Sequence, residues 1–255
     1  MSRVVLRELR SPSEFAAAQA VAQAAWGTPD LSTPAAADLI AITHSGGLTA
    51  AAFEGKEVLG FVHGFPRVLD GKICQHSHLL AVHPKAQGRG LSVRLKFFQR
   101  SWCLARGIRL VTWTYDPLLV KNARLNLGRL RARAKNYFRD FYGHIGGMYG
   151  SLPTDRFEIH WDLLRPEVKL AAQGRLFAAP DPAGIPLWKC GVPPRARSLG
   201  VEIPLGAPGI YSSDAGLARR ARLRLRRMAE TLMRRGYAAT GIAVAGKNAV
   251  YVFER

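Results

Sequence analysis

The sequence predicts a mixed α/β (α+β) protein: a mostly antiparallel sheet flanked by helices, extended at the C-terminus by further α+β structure. Three observations carry this. Short apolar-alternating segments separated by tight turns recur between Leu48 and Val82, as hairpin strands do. Two amphipathic stretches precede them, and a third follows. A strand–turn–helix unit from Ile73 to Gly107 closes the series and organises what surrounds it.

In order, Val4 to Leu9 reads as a short strand. Ser11-Pro12-Ser13 caps a helix whose apolar side is Phe15, Ala18, Val21, Ala22, Ala25 and Trp26, ended by Gly27-Thr28-Pro29. A second helix starts near Thr33-Pro34 and runs to about His44, before the break at Gly46-Gly47. Leu48–Phe53 and Val58–Phe65 are strands around the Glu54-Gly55-Lys56 turn, and Lys72–Val82 pairs next, after Asp70-Gly71. Strict alternation puts His76, His78, Leu80 and Val82 on one face. Pro84 stops the strand, Gln87-Gly88-Arg89-Gly90 makes a turn of little bulk, and Leu91, Leu95, Phe98, Trp102 and Ala105 mark a helix closed by Gly107. Ile108–Tyr115 is the next strand.

Further on, Phe157, Ile159, Trp161 and Leu163 alternate in a strand from Arg156. Arg165 to Gly209 is looser, with Leu199–Ile203 as one strand. Ser213-Asp214 caps a helix that buries Leu217, Ala221, Leu225, Met228 and Leu232 beneath Arg219, Arg220, Arg222, Arg224, Arg226 and Arg227. Gly236 ends it, and Tyr237–Val244 and Ala249–Phe253 form a terminal hairpin.

A chain of 255 residues with 48% hydrophobic and 22% charged residues can bury a good core in one large or two small domains. No apolar run approaches membrane-spanning length, and Met1-Ser2-Arg3 leads directly into a strand, so a cytoplasmic protein is expected. Cys74, Cys103 and Cys190 are scattered without metal-ligand spacing and read as reduced thiols; no metal is expected. The 37 Lys+Arg against 18 Asp+Glu give a net charge of +19. Such a field attracts polyanions, although an even spread of arginine over solvated faces would give the same total.

A strand, a glycine turn and a helix start together leave outward-pointing N–H groups at the positive end of a helix dipole, where phosphate binds. No Gly-Lys-Ser/Thr follows, so this is not a Walker loop, and the three glycines of a dinucleotide fingerprint are missing. Gln87-x-x-Gly90-x-Ser92 after Leu-x-Val-x-Pro instead resembles the pyrophosphate loop of the GNAT superfamily of acyl-CoA N-acyltransferases, with Ser92 departing from the usual Gly/Ala. The stretches Trp113–Leu118 and Leu152–Phe157 resemble a little-characterised branch of that family of about this length.

The resemblance implies a GNAT sheet whose central strands splay, with pantetheine in the gap between His76–Val82 and Leu110–Asp116. It implies acyl-CoA (acetyl- or succinyl-CoA) as co-substrate, held by Leu80, Ala81 and Val82 and by Gln87, Gly88, Arg89, Gly90, Leu91 and Ser92. Asn122 or Asn126 would add a contact beyond the second strand, and Trp113, Tyr115 and Arg156 are substrate-binding candidates. Residues 1–164 would form the acyl-CoA-binding domain, and 165–255 an α+β lobe resembling part of a second such unit. The tyrosine that in this family can protonate the leaving thiolate has no counterpart in Asn126–Arg131; Tyr115, Tyr137 and Tyr142 are nearby.

N-acyl transfer to an amine needs a proton acceptor, and His78 or Asp116 at the inner ends of the splayed strands are the catalytic candidates. The basic surface favours small-molecule amines bearing carboxylates, such as amino acids, and N-succinylation is compatible with the resemblance. A nucleic-acid-binding protein is the competing class, but aromatics do not interleave with the arginines as a single-strand stacking platform requires. Nucleic acid is therefore expected to bind at most non-specifically, and a membrane not at all. A GNAT fold that binds acyl-CoA without turnover is the third reading, and a homodimer stays open.

Overall fold

Tight turns decide the first half of the fold. In the computed structural model, which describes residues 3–27, 33–143, 152–205 and 214–255, the chain divides into two units, Met1–Trp113 and Thr114–Arg255. In the first, strands β1 (Val4–Glu8), β2 (Leu48–Glu54), β3 (Glu57–Leu69) and β4 (Lys72–Val82) pair antiparallel in sequence order. β5 (Leu110–Tyr115), which spans the division, pairs parallel with β4. Helix α3 (Leu91–Leu104) makes the crossover that a parallel pair requires.

Helix α1 (Pro12–Trp26) begins where Ser11 accepts a hydrogen bond from the Glu14 N–H, with proline at the position that needs no donor. The Arg7 guanidinium beside Glu14 holds its carboxyl down to about 2. Helix α2 spans Ala36–His44. Phe15, Ala18, Val21 and Ala22 of α1 and Leu39 of α2 pack on Ala51, Phe53, Phe61 and Ala81 of the sheet. Trp26, expected on the buried side of α1, is exposed, being the last residue before the helix unwinds at the left-handed Gly27. Thr28, Pro29 and Ser213, read as helix-terminal signals, lie outside the described residues.

The buried face of α3 also differs from its apolar stripe. Leu91, Leu95 and Trp102 turn inward as expected, but Lys96, Gln99 and Cys103 complete the face, while Ala105 is exposed. These inward polar groups find partners on β4, described below.

In the second unit, β6 (Arg133–Phe138), β7 (Arg156–Asp162), β8 (Ser198–Pro204), β9 (Ala238–Ala245) and β10 (Asn248–Glu254) lie in the order β7-β6-β9-β10-β8, all antiparallel. β6 has no expectation in the sequence, because Arg133, Lys135 and Asn136 dilute its alternation and a bulge between Ala134 and Asn136 breaks it. A short helix, α4 (Val120–Ala123), runs into a π turn at Arg124–Arg129, and α5 covers Pro166–Ala172.

Helix α6 (Ala215–Arg234) is capped by Asp214, which accepts from the Leu217 N–H. Its arginines do not all face solvent: Arg222 is fully buried, while Leu217, expected inside, is exposed. Arg222 Nη1 and Nη2 donate to the two carboxylate oxygens of Asp116 at 2.8 Å each, and Arg226 makes a second bidentate pair with Asp155. Two charges inside one helix face demanded two carboxylates, and the sequence shows the pairing only once the fold is known.

Removing one partner of a fully buried pair strands the other charge. Arg222→Met is expected to cost about 3–5 kcal/mol in urea unfolding. The double variant Arg222→Met/Asp116→Leu should recover most of that loss; equal destabilisation of single and double variants would mean the pair is not what the side chains contribute.

Candidate functional site

The site is built where β4 ends. A 3₁₀ turn at Pro84–Ala86 lifts the chain off the strand, and Gln87 is extended. Gly88 and Gly90 both adopt left-handed backbone angles, φ 80° and 72°, which a side chain would strain. A Cβ at either would meet nothing within 4 Å, so the space above the turn is open. Gly90 is the N-cap of α3 and supplies no side-chain cap. The first N–H groups of that helix have no intrahelical partners, and they stand at its positive end next to this turn. Arg89 donates to Glu54 at 2.7 Å, and Lys85 pairs with Glu57, so the long side chains of the turn lie along the β2–β3 hairpin.

The second feature is a fork. β3 and β4 stay paired up to Gly60 opposite Val82, whereas β4 and β5 pair at only two positions, Gln75 with Val111 and His76 with Thr112. From Ser77 to Val82, the backbone edge of β4 that faces away from β3 has no β5 partner among the described residues. Such an edge offers a row of N–H and C=O groups to any extended ligand.

A β-bulge sits at the mouth of the fork. The β3 register passes from His63 opposite Leu79 to Gly64 opposite Ser77, so His78 is the extra residue. The bulge corrects the alternation expected of the strand: Leu79 and Ala81 pack on the α1 core, and His78 joins their side of the sheet rather than that of Leu80. There the rings of His63, Phe65, His76 and His78 cluster, with Phe65 5.2 Å from His76 and 5.6 Å from His78 between centroids. His78 is exposed, yet burial of its surroundings still lowers its pKa. His63 is fully buried, and desolvation pulls it down to about 4.

The opposite face of β4 carries a buried polar network. Lys96 Nζ donates to Ser77 Oγ at 2.9 Å and to Gln99 Oε1 at 2.7 Å, and lies 3.8 Å from the centroid of the Trp113 ring. Gln99 Nε2 donates to Gln75 at 2.6 Å, and the Cys103 thiol reaches the same oxygen at 3.1 Å. Ser77 and Trp113 are the first residues past the last paired position, so the lysine marks the apex of the fork. Burial lowers the Lys96 pKa to about 7 and raises that of Cys103 to about 12.

The structure thus brings His78, Leu80, Ala81, Val82, the Gln87–Ser92 turn and Trp113 together within the first unit. Trp113 is buried under Lys96 rather than presented to a ligand. Tyr115, Asp116, Asn122, Asn126 and Arg156 belong to the second. Asp116 is fully buried with both oxygens taken by Arg222 and one also by the Leu118 N–H, which fits a structural ion pair better than a proton acceptor. Tyr115 is buried and bonded to the Tyr251 hydroxyl, and Tyr137 donates to Asp155; desolvation raises both pKa values. Neither hydroxyl is placed to act as an acid. Asn126 is buried in the π turn, Asn122 is half-buried on α4, and the Arg156 guanidinium lies 5.0 Å from the Tyr142 ring. His63 and Lys96 are absent from the sequence-derived set. The signal for His63 was its place between Phe61 and Phe65 on the inward face of β3; Lys96 gave none.

This arrangement is that of the GNAT fold. A GNAT-family protein from Desulfovibrio desulfuricans superposes with a TM-score of 0.51 at 18% identity, covering 63% of this chain and 99% of its own. The Salmonella typhimurium protein yncA, solved with its cofactor acetyl-CoA, gives 0.53 at 18% identity over 71% of this chain and 99% of its own. A chain of the NatC complex bound to Gag peptide and CoA gives 0.51 at 12% identity over 64% and 99%. No family model and no curated protein matches the sequence.

The buried lysine makes a pH prediction. Its folded pKa of about 7 lies below the ordinary value near 10.4, so between these limits the unfolded chain binds more protons and stability rises with pH. The stability difference between wild type and Lys96→Met should climb from pH 7 toward pH 10, with a limiting slope of about 1.4 kcal/mol per pH unit. A difference that does not change with pH in urea titrations would contradict the buried, partly neutral amine.

Proposed function

We propose that this chain is an acyl-CoA-dependent N-acyltransferase that moves an acyl group, acetyl or succinyl, to a primary amine. The observation that carries the reading is the pairing of an uncapped helix N-terminus, fronted by two left-handed glycines, with an unpaired strand edge that starts a few residues away. Diphosphate fits the first and an extended amide-bearing arm fits the second, which is the shape of coenzyme A. The residues that would hold it are Gln87 to Ser92 at the phosphates and Leu80 to Val82 along the arm.

The thioester supplies an activated carbonyl; the protein's task is to position a neutral amine and take its proton. An α-amino group has a pKa of about 7.7–8.0, so a modest base suffices. His78 is the exposed imidazole at the fork, and its lowered pKa keeps it neutral near pH 7 and able to accept that proton. The net charge of +19 favours acceptors that carry a carboxylate, amino acids among them, and a dicarboxylic acyl donor.

The test is release of free CoA from acetyl-, succinyl- and longer acyl-CoAs against a panel of amino acids and polyamines. Turnover with at least one pair is expected; tight acyl-CoA binding with no turnover across the panel would favour a non-catalytic acyl-CoA-binding protein. Gly90→Glu puts a strained side chain and a negative charge at the helix start, and should weaken CoA binding by more than about tenfold in calorimetry. Unchanged affinity in a folded variant would remove the phosphate site.

His78→Ala should lower kcat by about 10²–10⁴ with acyl-CoA affinity retained. The wild-type rate should fall at acid pH as His78 protonates, with an apparent pKa below the ordinary 6.5 of imidazole. That limb should vanish in the variant; a limb that persists would assign the base elsewhere.

A further inference from the structure

His63 is a buried titratable group that the proposed reaction leaves unused, and the hydrogen bonds around it assign it a tautomer. The Thr43 hydroxyl donates to the Leu39 carbonyl at 2.7 Å, which uses its single proton. The 2.6 Å contact between Thr43 and Thr49 must then be donated by Thr49. With the Thr49 proton spent, the 2.8 Å contact to His63 Nδ1 can be made only by an Nδ1–H on the ring. This run of donors assigns the Nδ1–H tautomer to the imidazole and so leaves a lone pair on Nε2. That atom is buried and makes no hydrogen bond among the described residues, in a residue with no exposed surface; the Leu48 backbone is the other polar neighbour of the ring and favours its charged form.

A buried acceptor without a protein partner calls for one, from a water or from a neighbouring side chain. The neighbouring ring is that of His78, 6.5 Å away between centroids and nearly edge-on at 73°. His78 is exposed and belongs to the bulge, so its side chain has room to turn.

We propose that His63 is the positioning residue for His78: its Nε2 accepts a hydrogen bond from a His78 ring N–H, directly after rotation of that ring or through one water. This rests on the reading of His78 as the base. The arrangement leaves the other His78 nitrogen unprotonated and aimed outward. In the reaction the lone pair of the neutral amine forms the new N–acyl bond, the thioester C–S bond breaks and CoA leaves as its thiolate; the N–H bond that is lost gives its proton to that nitrogen of His78, and its electron pair stays on the amide nitrogen. His78 becomes a cation whose second N–H is shared with His63.

His63 itself stays neutral, because desolvation first, and the charge on His78 second, depress its pKa to about 4. The other groups facing the pair are His76, which contacts Thr112, and Arg67, which donates to the same threonine at 3.1 Å. The chain from Leu39 through Thr43 and Thr49 also ties the tautomer to helix α2, so the first helical layer sets the chemistry of the fork.

Two substitutions separate this role from packing. In His63→Asn the amide can keep the bond to Thr49 but places no atom at the Nε2 position. In His63→Gln the longer side chain can bring its carbonyl oxygen there. His63→Asn should lower kcat by more than about tenfold, short of the 10²–10⁴ expected for losing the base itself, with the KM for acyl-CoA unchanged. His63→Gln should recover most of that loss. If His63→Asn turns over like wild type, or His63→Gln is as slow as His63→Asn, the role is only structural and the proposal falls.

Nitrogen-15 spectra of the histidine rings in the 255-residue protein decide the point without activity, and so separate it from failure of the acyltransferase reading. The expected result is an Nδ1–H His63 and a single neutral tautomer for His78, which becomes a mixture in His63→Asn but not in His63→Gln. A His63 protonated on Nε2, or a His78 tautomer indifferent to both substitutions, would overturn it.

Discussion

A parallel strand pair that stops after two registers is the constraint on which the site depends. Backbone groups of a strand must be satisfied by a neighbour, by water or by a ligand. β4 meets that demand on the β3 side along almost its whole length, and on the β5 side only at Gln75 and His76. Beyond them that edge of β4 has no β5 partner among the described residues, and the turn that carries Gly88 and Gly90 lies at its far end. The strand edge and the helix start become one elongated binding surface because Pro84 ends β4 and α3 begins seven residues later.

Polar groups are buried near the fork in places where apolar ones would be easier to bury. Lys96, Ser77, Gln99 and Gln75 fill the α3 side of the apex, and His63, Thr49 and Thr43 run beneath the other face. A buried network of this kind is specific when satisfied and costly when broken, because a stranded polar group loses its water without replacement. The bulge at His78 belongs to the same design: one extra residue turns the imidazole onto the face where His63 and Phe65 wait, and bends the strand at the point where its pairing changes.

The β2–β3–β4 hairpins, the Gln87–Ser92 turn and the helix that follows were legible because glycine, proline and alternation act locally. The face of His78 was misread for a reason of the opposite kind. A bulge is a relation between two strands, and nothing in Gln75-His76-Ser77-His78-Leu79 announces that one residue will be skipped. The pairing of Asp116 with Arg222 likewise joins residues 106 apart, the second in a helix whose arginines all look alike. β6 escaped because its few apolar residues are out of phase across a bulge of their own. In each case the missing information is long-range register, which composition and period do not carry.

The central claim is that the open edge of β4 and the start of α3 together hold coenzyme A. Titrating CoA into the nitrogen-15-labelled protein and following the backbone amides tests it residue by residue. The account predicts the largest shifts at Gly88, Gly90, Leu91 and Ser92, with a second set along Ser77 to Val82. Shifts confined to the arginine-bearing surface of α6, or none at saturating CoA, would contradict it.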